Sequence, residues 1–216
     1  MSIGPWLSVL LLAVEPGATL AFALSGLLEA ARKRLDPVGV CLVAGLAAFG
    51  GGTLRDLLLH RRPFVWVAHS EWLWGLLALC TAAMLFLRAR HCAPPEKGMQ
   101  WPDAVGLGLF SASGTQLALA QDLPGIVAVL MGVITATFGG VLRDIVCNET
   151  PTALRDHRPY AICAFAGGWV LVLAHHTDLP QGLGLLLGAA CATGLRVLAL
   201  VTGFRLPGWS ARGDEA

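Results

Sequence analysis

The sequence predicts an all-α integral membrane protein of seven transmembrane helices, an inverted repeat of two three-helix units plus a seventh helix. Three observations predict it: an apolar excess, seven apolar stretches of spanning length, and a self-similarity at one fixed offset. The chain has 216 residues, 56% apolar and 13% charged, with a mean hydropathy of +0.68. An ordinary soluble domain is roughly 45–50% apolar and about 25% charged. The surplus apolar surface exceeds what the core of one globule of this length buries, so much of it faces lipid. A formal net charge of +1 argues against a nucleic-acid binder, which needs a basic face.

A span needs about 20 apolar residues to cross ~30 Å of hydrocarbon. The first candidate, 5–31, precedes any Lys or Arg, so it lacks the positive n-region of a cleaved signal and reads as a retained span. After the link RKRLDP comes 38–59, and after HRRPFVWVAHSE comes 71–88. The long polar link RARHCAPPEKGMQWP leads to 103–121, and QDLP leads to 124–147. NETPTALRDH then separates 158–176, and HHTDLPQ separates 181–202. These links leave no room for a soluble domain. The units are therefore 5–90, 101–177, the seventh helix 181–202 and a cytoplasmic tail 203–216.

Basic residues set the orientation. Arg32, Lys33, Arg34, Arg88, Arg90, Lys97, Arg155, Arg158, Arg205 and Arg212 fall on one side, against Arg61 and Arg62 on the other. The N-terminus is expected outside and the C-terminus in the cytoplasm, in the cell's inner (plasma) membrane. Trp66, Trp72, Trp74 and Trp101 sit at span ends, where amphipathic rings favour the interface, although ordinary packing accounts for them equally. The cysteines (Cys41, Cys80, Cys92, Cys147, Cys163 and Cys191) form no C-x-x-C pair and read as buried thiols. The histidines lie at links or span ends without metal-site spacing. No cofactor or metal is called for.

Shifted by 88 positions (143 − 55), the two halves align without a gap: FALSG at 22–26 on FSASG at 110–114, GGTLRD at 51–56 on GGVLRD at 139–144, Pro63 on Pro151, and Glu15 on Asp103. Because the offset spans three helices, an odd number, the second copy enters from the opposite side. Inverted repeats build many transporters, with the site near the midplane at the repeat interface.

Gly50, Gly51 and Gly52 in span 2 and Gly139 and Gly140 in span 5 are candidate break points, since each Gly weakens a helix by roughly 1 kcal/mol relative to Ala. A break frees carbonyls that must line water or be buried, and such carbonyls suit a cation. The competing reading is close packing on small residues. Two clusters at inverted positions, each followed by Arg-Asp, favour the break.

A charge in a span costs at least ~2.5–3.5 kcal/mol, so Arg55, Asp56, Arg143 and Asp144 should face partners or water. Helix neighbours point apart, which argues against Arg55 pairing with Asp56. Two symmetric ion pairs are expected instead, Glu15–Arg55 and Asp103–Arg143, with Asp56 and Asp144 facing an aqueous path. Snorkelling of the arginines to the interface is the alternative. Ser25 and Ser113 face a pore or bond back to their own helix, and Pro63 and Pro151 end the broken helices.

With GGGTLRD at 50–56 and FGGVLRDIVCNETP at 138–151 laid out, the chain resembles the prokaryotic trimeric intracellular cation (TRIC) channels. They are similar in carrying Gly-Gly-Gly-x-x-Arg-Asp in the second helix and Gly-Gly-x-x-Arg-Asp in the fifth. DAVGLGLF at 103–110 and FALSG at 22–26 look like the family's fourth and first helices, and the resemblance covers about residues 8–202. One departure is Glu15-Pro16-Gly17-Ala18-Thr19, where family members usually show Asp followed by Gly-Thr. The resemblance implies a homotrimer with a pore in each protomer, lined by helices 2 and 5 kinked at the glycines. It implies permeation of monovalent cations, K+ favoured, with Gly50, Gly51, Gly52, Arg55, Asp56, Gly139, Gly140, Arg143 and Asp144 as pore and gating residues. Some bacterial relatives are described as glycine transporters, so a carrier of glycine or another small neutral amino acid is the alternative; an arginine would then hold the carboxylate. No Ser/His, Cys/His or H-E-x-x-H arrangement within the spans suggests an enzyme.

Overall fold

The structure, a computed structural model, describes residues 5–90, 98–155, 159–177 and 179–207. Among these residues there are nine helices and no strand: α1 (Pro5–Arg32), α2 (Pro37–Leu58), α3 (Val65–Ala68), α4 (Glu71–Arg90), α5 (Gln100–Leu119), α6 (Gly125–Val146), α7 (Thr152–Arg155), α8 (Ala161–His175) and α9 (Gln181–Thr202). Cys92, Lys97, Arg158, Arg212 and tail positions 208–216 lie outside the described residues. The short helices α3 and α7 fall in links that the sequence reading left irregular. Four residues carry no periodicity to read.

Sequence chemistry fixes the ends of α2. Asp36 caps the N-terminus by accepting the Gly39 N–H at 2.7 Å, and Pro37 stands at the first helical position. At the other end His60 turns left-handed (φ 51°), and the Arg61 N–H donates to the Asp56 carbonyl at 2.8 Å. This is the six-to-one bond of a Schellman stop. The same stop closes α6: Asn148 has φ 55°, and the Glu149 N–H donates to the Asp144 carbonyl at 2.9 Å. The stops correct the expectation that Pro63 and Pro151 end these helices, because both helices finish several residues earlier.

The 88-residue offset relates α2 to α6 and several positions around them. Both ends of α6 fall 88 residues after those of α2 (125 − 37 and 146 − 58). The left-handed pairs Arg34/Asp122 and His60/Asn148 share that spacing. So do Phe22 and Phe110, whose rings stack on each other at 5.5 Å.

Three helices, α2, α6 and α9, are long and apolar enough to cross a membrane, and α4 and α8 hold shorter apolar stretches. They expose large side chains such as Leu42, Leu130, Ile145, Leu173 and Leu198 outward, as a lipid-facing bundle requires. Helix α5 is different. It runs through the middle, packed by α1, α6, α8 and α9, and every residue from Phe110 to Leu119 is buried. Protein rather than lipid surrounds it, which is why its polar Ser111, Ser113, Thr115 and Gln116 are tolerated and why it reads as less apolar.

The glycines require a correction. Helices α2 and α6 run unbroken through Gly50–Gly52 and Gly139–Gly140. They cross there instead. A Cβ on Gly51 would lie 2.0 Å from the Thr135 carbonyl oxygen, and one on Gly139 would lie 2.3 Å from that of Ala47. Ala47 and Thr135 are themselves 88 apart, so the crossing is symmetric. A Cβ on Gly50 would meet Leu142 Cδ1 at 2.7 Å. The physical reason is that glycine lets two backbones approach closely. Closer contact and kept helical hydrogen bonds together outweigh the weak helix propensity.

Candidate functional site

Gly52 and Gly140 play another part. A Cβ on Gly52 would have only Arg55 Nη2 near it, at 4.0 Å, and one on Gly140 would look onto Tyr160, Arg143 and Asp103. One turn of α2 or α6 thus uses its first repeat-matched glycine for the crossing and its second to leave space in front of an arginine.

Both arginines are 1% exposed. Arg55 Nη1 is 2.7 Å from Glu15 Oε1, and Arg143 Nη1 is 2.7 Å from Asp103 Oδ1. Arg55 also bonds the adjacent Asp56, with Nε at 2.9 Å and Nη2 at 2.8 Å from Oδ1. Arg143 Nε donates to Asp144 Oδ1 at 2.8 Å. These contacts overturn the argument that helix neighbours cannot pair. Their Cβ atoms point about 100° apart, but the long arginine arm curls back far enough to bridge that angle.

In this conformation Asp56 and Asp144 do not face open water. Both are buried, with their second oxygen turned to the following loop. Asp56 Oδ2 accepts the Val65 N–H at 3.3 Å. Asp144 Oδ2 accepts the Thr152 N–H at 2.7 Å and its hydroxyl at 2.8 Å. Each aspartate therefore ties its arginine to the start of α3 or α7, since a buried carboxylate must satisfy both oxygens. Arg61 Nη1 adds a 3.5 Å contact to Asp56.

The serines cross between repeats. Arg55 Nη1 donates to Ser113 Oγ at 3.4 Å, and Ser113 Oγ donates to Glu15 Oε1 at 3.1 Å. Arg143 Nη1 donates to Ser25 Oγ, which lies 3.5 Å from Asp103 Oδ1. Each guanidinium is thus held by the acid of its own repeat and the serine of the other.

The two centres differ in closure. Glu15 is 15% exposed, Asp103 only 6%. A cavity of about 20 Å³ opens beside Arg55, lined among others by Glu15, Gly52, Thr53, Asp56 and Trp72. That volume is room for about one water. Trp66 closes its edge by donating Nε1–H to Thr53 Oγ1 at 3.1 Å. At Arg143 the matching space is filled by Tyr160, 88 positions after Trp72, with Arg196 of α9 behind it. Sequence reasoning passed over Tyr160, Thr152 and Arg196. The signal for Arg196 was present: it is a charge inside an apolar 22-residue helix, well before its end.

Long apolar helices wrapped around two buried, ion-paired arginine centres define a multi-pass membrane protein. The profile of the glycine transporter family matches residues 12–90 and again 100–176, once for each half of the chain. Curated relatives agree. A UPF0126 membrane protein of Vibrio cholerae is 36% identical over 177 residues, covering 80% of this chain and 70% of that one. The UPF0126 inner membrane protein YadS of Escherichia coli is 34% identical over 194 residues, covering 88% and 91%. Among solved structures, the TRIC trimeric intracellular cation channel orthologue from Rhodobacter sphaeroides superposes with a TM-score of 0.82 at 34% identity, covering 90% of this chain and 98% of that one. A second TRIC cation channel structure gives 0.79 at 30% identity. The chain belongs to this family, the TRIC-related glycine transporter family of membrane proteins.

Proposed function

We propose that the chain is a homotrimeric, K+-permeable channel for monovalent cations, with seven crossings, an outside N-terminus, a cytoplasmic C-terminus and one path per protomer. The path runs along the contact of α2 and α6, past Arg55, Asp56, Gly50, Gly51 and Gly52 and past Arg143, Asp144, Gly139 and Gly140, with Ser25 and Ser113 bridging the halves. The observation that carries this reading is the pairing at each arginine: one guanidinium between two carboxylates, Glu15 and Asp56 or Asp103 and Asp144. At Arg143 the set has a formal charge of −1, the sign that draws a cation into a low-dielectric interior, while at Arg55 the neighbouring Arg61 offsets that charge. The likeness to TRIC cation channels supports a channel rather than an enzyme.

The conformation described is closed, with both arginines sealed and one-water space at Arg55. Opening parts α2 from α6 at Gly51 and Gly139, where close approach rather than side-chain bonding holds the helices together. A second reading, a carrier of glycine or another small neutral amino acid, is favoured by the description of the matched family. There the arginine takes the carboxylate, and the space before Gly52 or Gly140 takes the Cα. Purified protein in liposomes separates the two readings. Discrete potassium currents without saturable uptake of labelled glycine are expected, and saturable uptake without discrete currents refutes the channel.

A further inference from the structure

Arg196 has no part in the inverted repeat. It lies on α9 at 1% exposure, and no carboxylate among the described residues lies within ion-pair distance of it. Its Nη1 donates to the Pro159 carbonyl at 3.2 Å, and its guanidinium carbon stands 4.8 Å from the centre of the Tyr160 ring. Its buried Nε and the buried Tyr160 hydroxyl have no hydrogen-bond partner. A buried cation without a counter-ion is expensive, so its aromatic and carbonyl contacts have to hold it in place.

These contacts fall at one mechanical point. Pro159 and Tyr160 are the two residues that lead into α8, and Tyr160 is its N-cap without any side-chain capping bond. The Tyr160 hydroxyl borders the space before Gly140, 3.3 Å from where a Cβ would stand, with Asp103 Oδ1 at 3.7 Å from the same point. Tyr160 is therefore the plug over the Arg143 centre, and Arg196 is what grips the plug. At the Arg55 centre Trp72 is stacked on His69 at 5.3 Å, no arginine among the described residues stands over its ring, and a cavity remains.

We infer that Arg196 is a positioning residue: a latch on the seventh helix that pins Tyr160 over the Arg143–Asp103 centre and makes this end of the path the tighter one. The inference rests on the channel reading for its functional consequence, but the latch itself has a structural readout. A cation held over an aromatic face stabilises that arrangement, and a tenfold change in an equilibrium is about 1.4 kcal/mol. Releasing the latch should shift the closed-to-open ratio about tenfold.

The test uses the full chain in lipid nanodiscs and planar bilayers. In nanodiscs, Arg196→Met should speed amide hydrogen exchange at Ala161–Ala164 about tenfold, leave exchange at Trp72–Gly75 unchanged, and be largely restored by Arg196→Lys. Tyr160→Leu, which removes the ring, should act alike, and the double variant should go no further than either single one. In bilayers Arg196→Met should raise open probability about tenfold. Unchanged exchange at 161–164, or additive effects in the double variant, overturns the latch. Should Arg196→Met fail to assemble, Tyr160→Leu carries the same readouts. Wild-type protein without potassium current would refute the channel reading alone, because exchange needs no conductance. Altered exchange with unaltered open probability would overturn the link from latch to gating.

Discussion

Replacing Gly139 by alanine sets two effects of opposite sign against each other. Alanine is the better helix former by roughly 1 kcal/mol, so on propensity alone the variant is more stable. The crossing decides otherwise. The new Cβ would stand 2.3 Å from the Ala47 carbonyl oxygen, about 1 Å inside the ~3.3 Å at which carbon and carbonyl oxygen meet comfortably. The obstructing atom is backbone, so no rotamer relieves it and α2 must move away from α6. Overpacking of this kind costs about 1–3 kcal/mol or more, and the clash wins. Gly52→Ala has only a flexible guanidinium nitrogen at 4.0 Å, so there propensity wins. The assay is the thermal midpoint of the purified protein in detergent, followed by the loss of its monodisperse peak. At about 2–4 °C per kcal/mol for a chain of this size, Gly139→Ala should lose several degrees while Gly52→Ala holds or gains. A Gly139→Ala protein that melts with the wild type, or a Gly52→Ala protein that falls as far, refutes the close crossing.

The Arg143 centre makes a sharper demand. Arg143→Met leaves Asp103 and Asp144 buried together and should cost about 3–5 kcal/mol; adding Asp103→Asn should recover part of the loss, and a double variant no better than the single one would refute the pairing. Arg55→Met should cost less by the same measurement, since Glu15 keeps some access to solvent. Thr152→Val removes one hydroxyl bond to Asp144, worth about 1.5–3 kcal/mol for a charged acceptor, and should loosen α7 as seen by faster amide exchange at 152–155.

The fold was legible because its signals are long and repeated. The 88-residue offset places α6 on α2 to the residue, and apolar length marks α9 from 181 to 202 without error. The acids opposite Arg55 and Arg143 were legible for the same reason, since symmetry left few candidates at matching depth. What failed was reasoning from one helix in isolation. Consecutive glycines signal weakness only when nothing packs on them, and here each half packs on the other. Arg55 and Asp56 diverge on an ideal helix, yet side-chain length closes the gap. Asp56 and Asp144 read as facing water because the N–H groups that hold them here, on Val65 and Thr152, sit in links without periodicity. Arg196 belongs to the one helix outside the repeat, so no matching position drew attention to it.

The exchange of serines between the halves bears on how such a chain came to exist. A lone three-helix unit would carry an arginine and its two acids but would lack the hydroxyl that completes the set. Two identical units inserted in opposite directions supply each other's missing donor at both ends in one encounter. Duplication and fusion would then preserve a mutual dependence already present in the ancestral pair, leaving the last helix free to break the equivalence of the two ends.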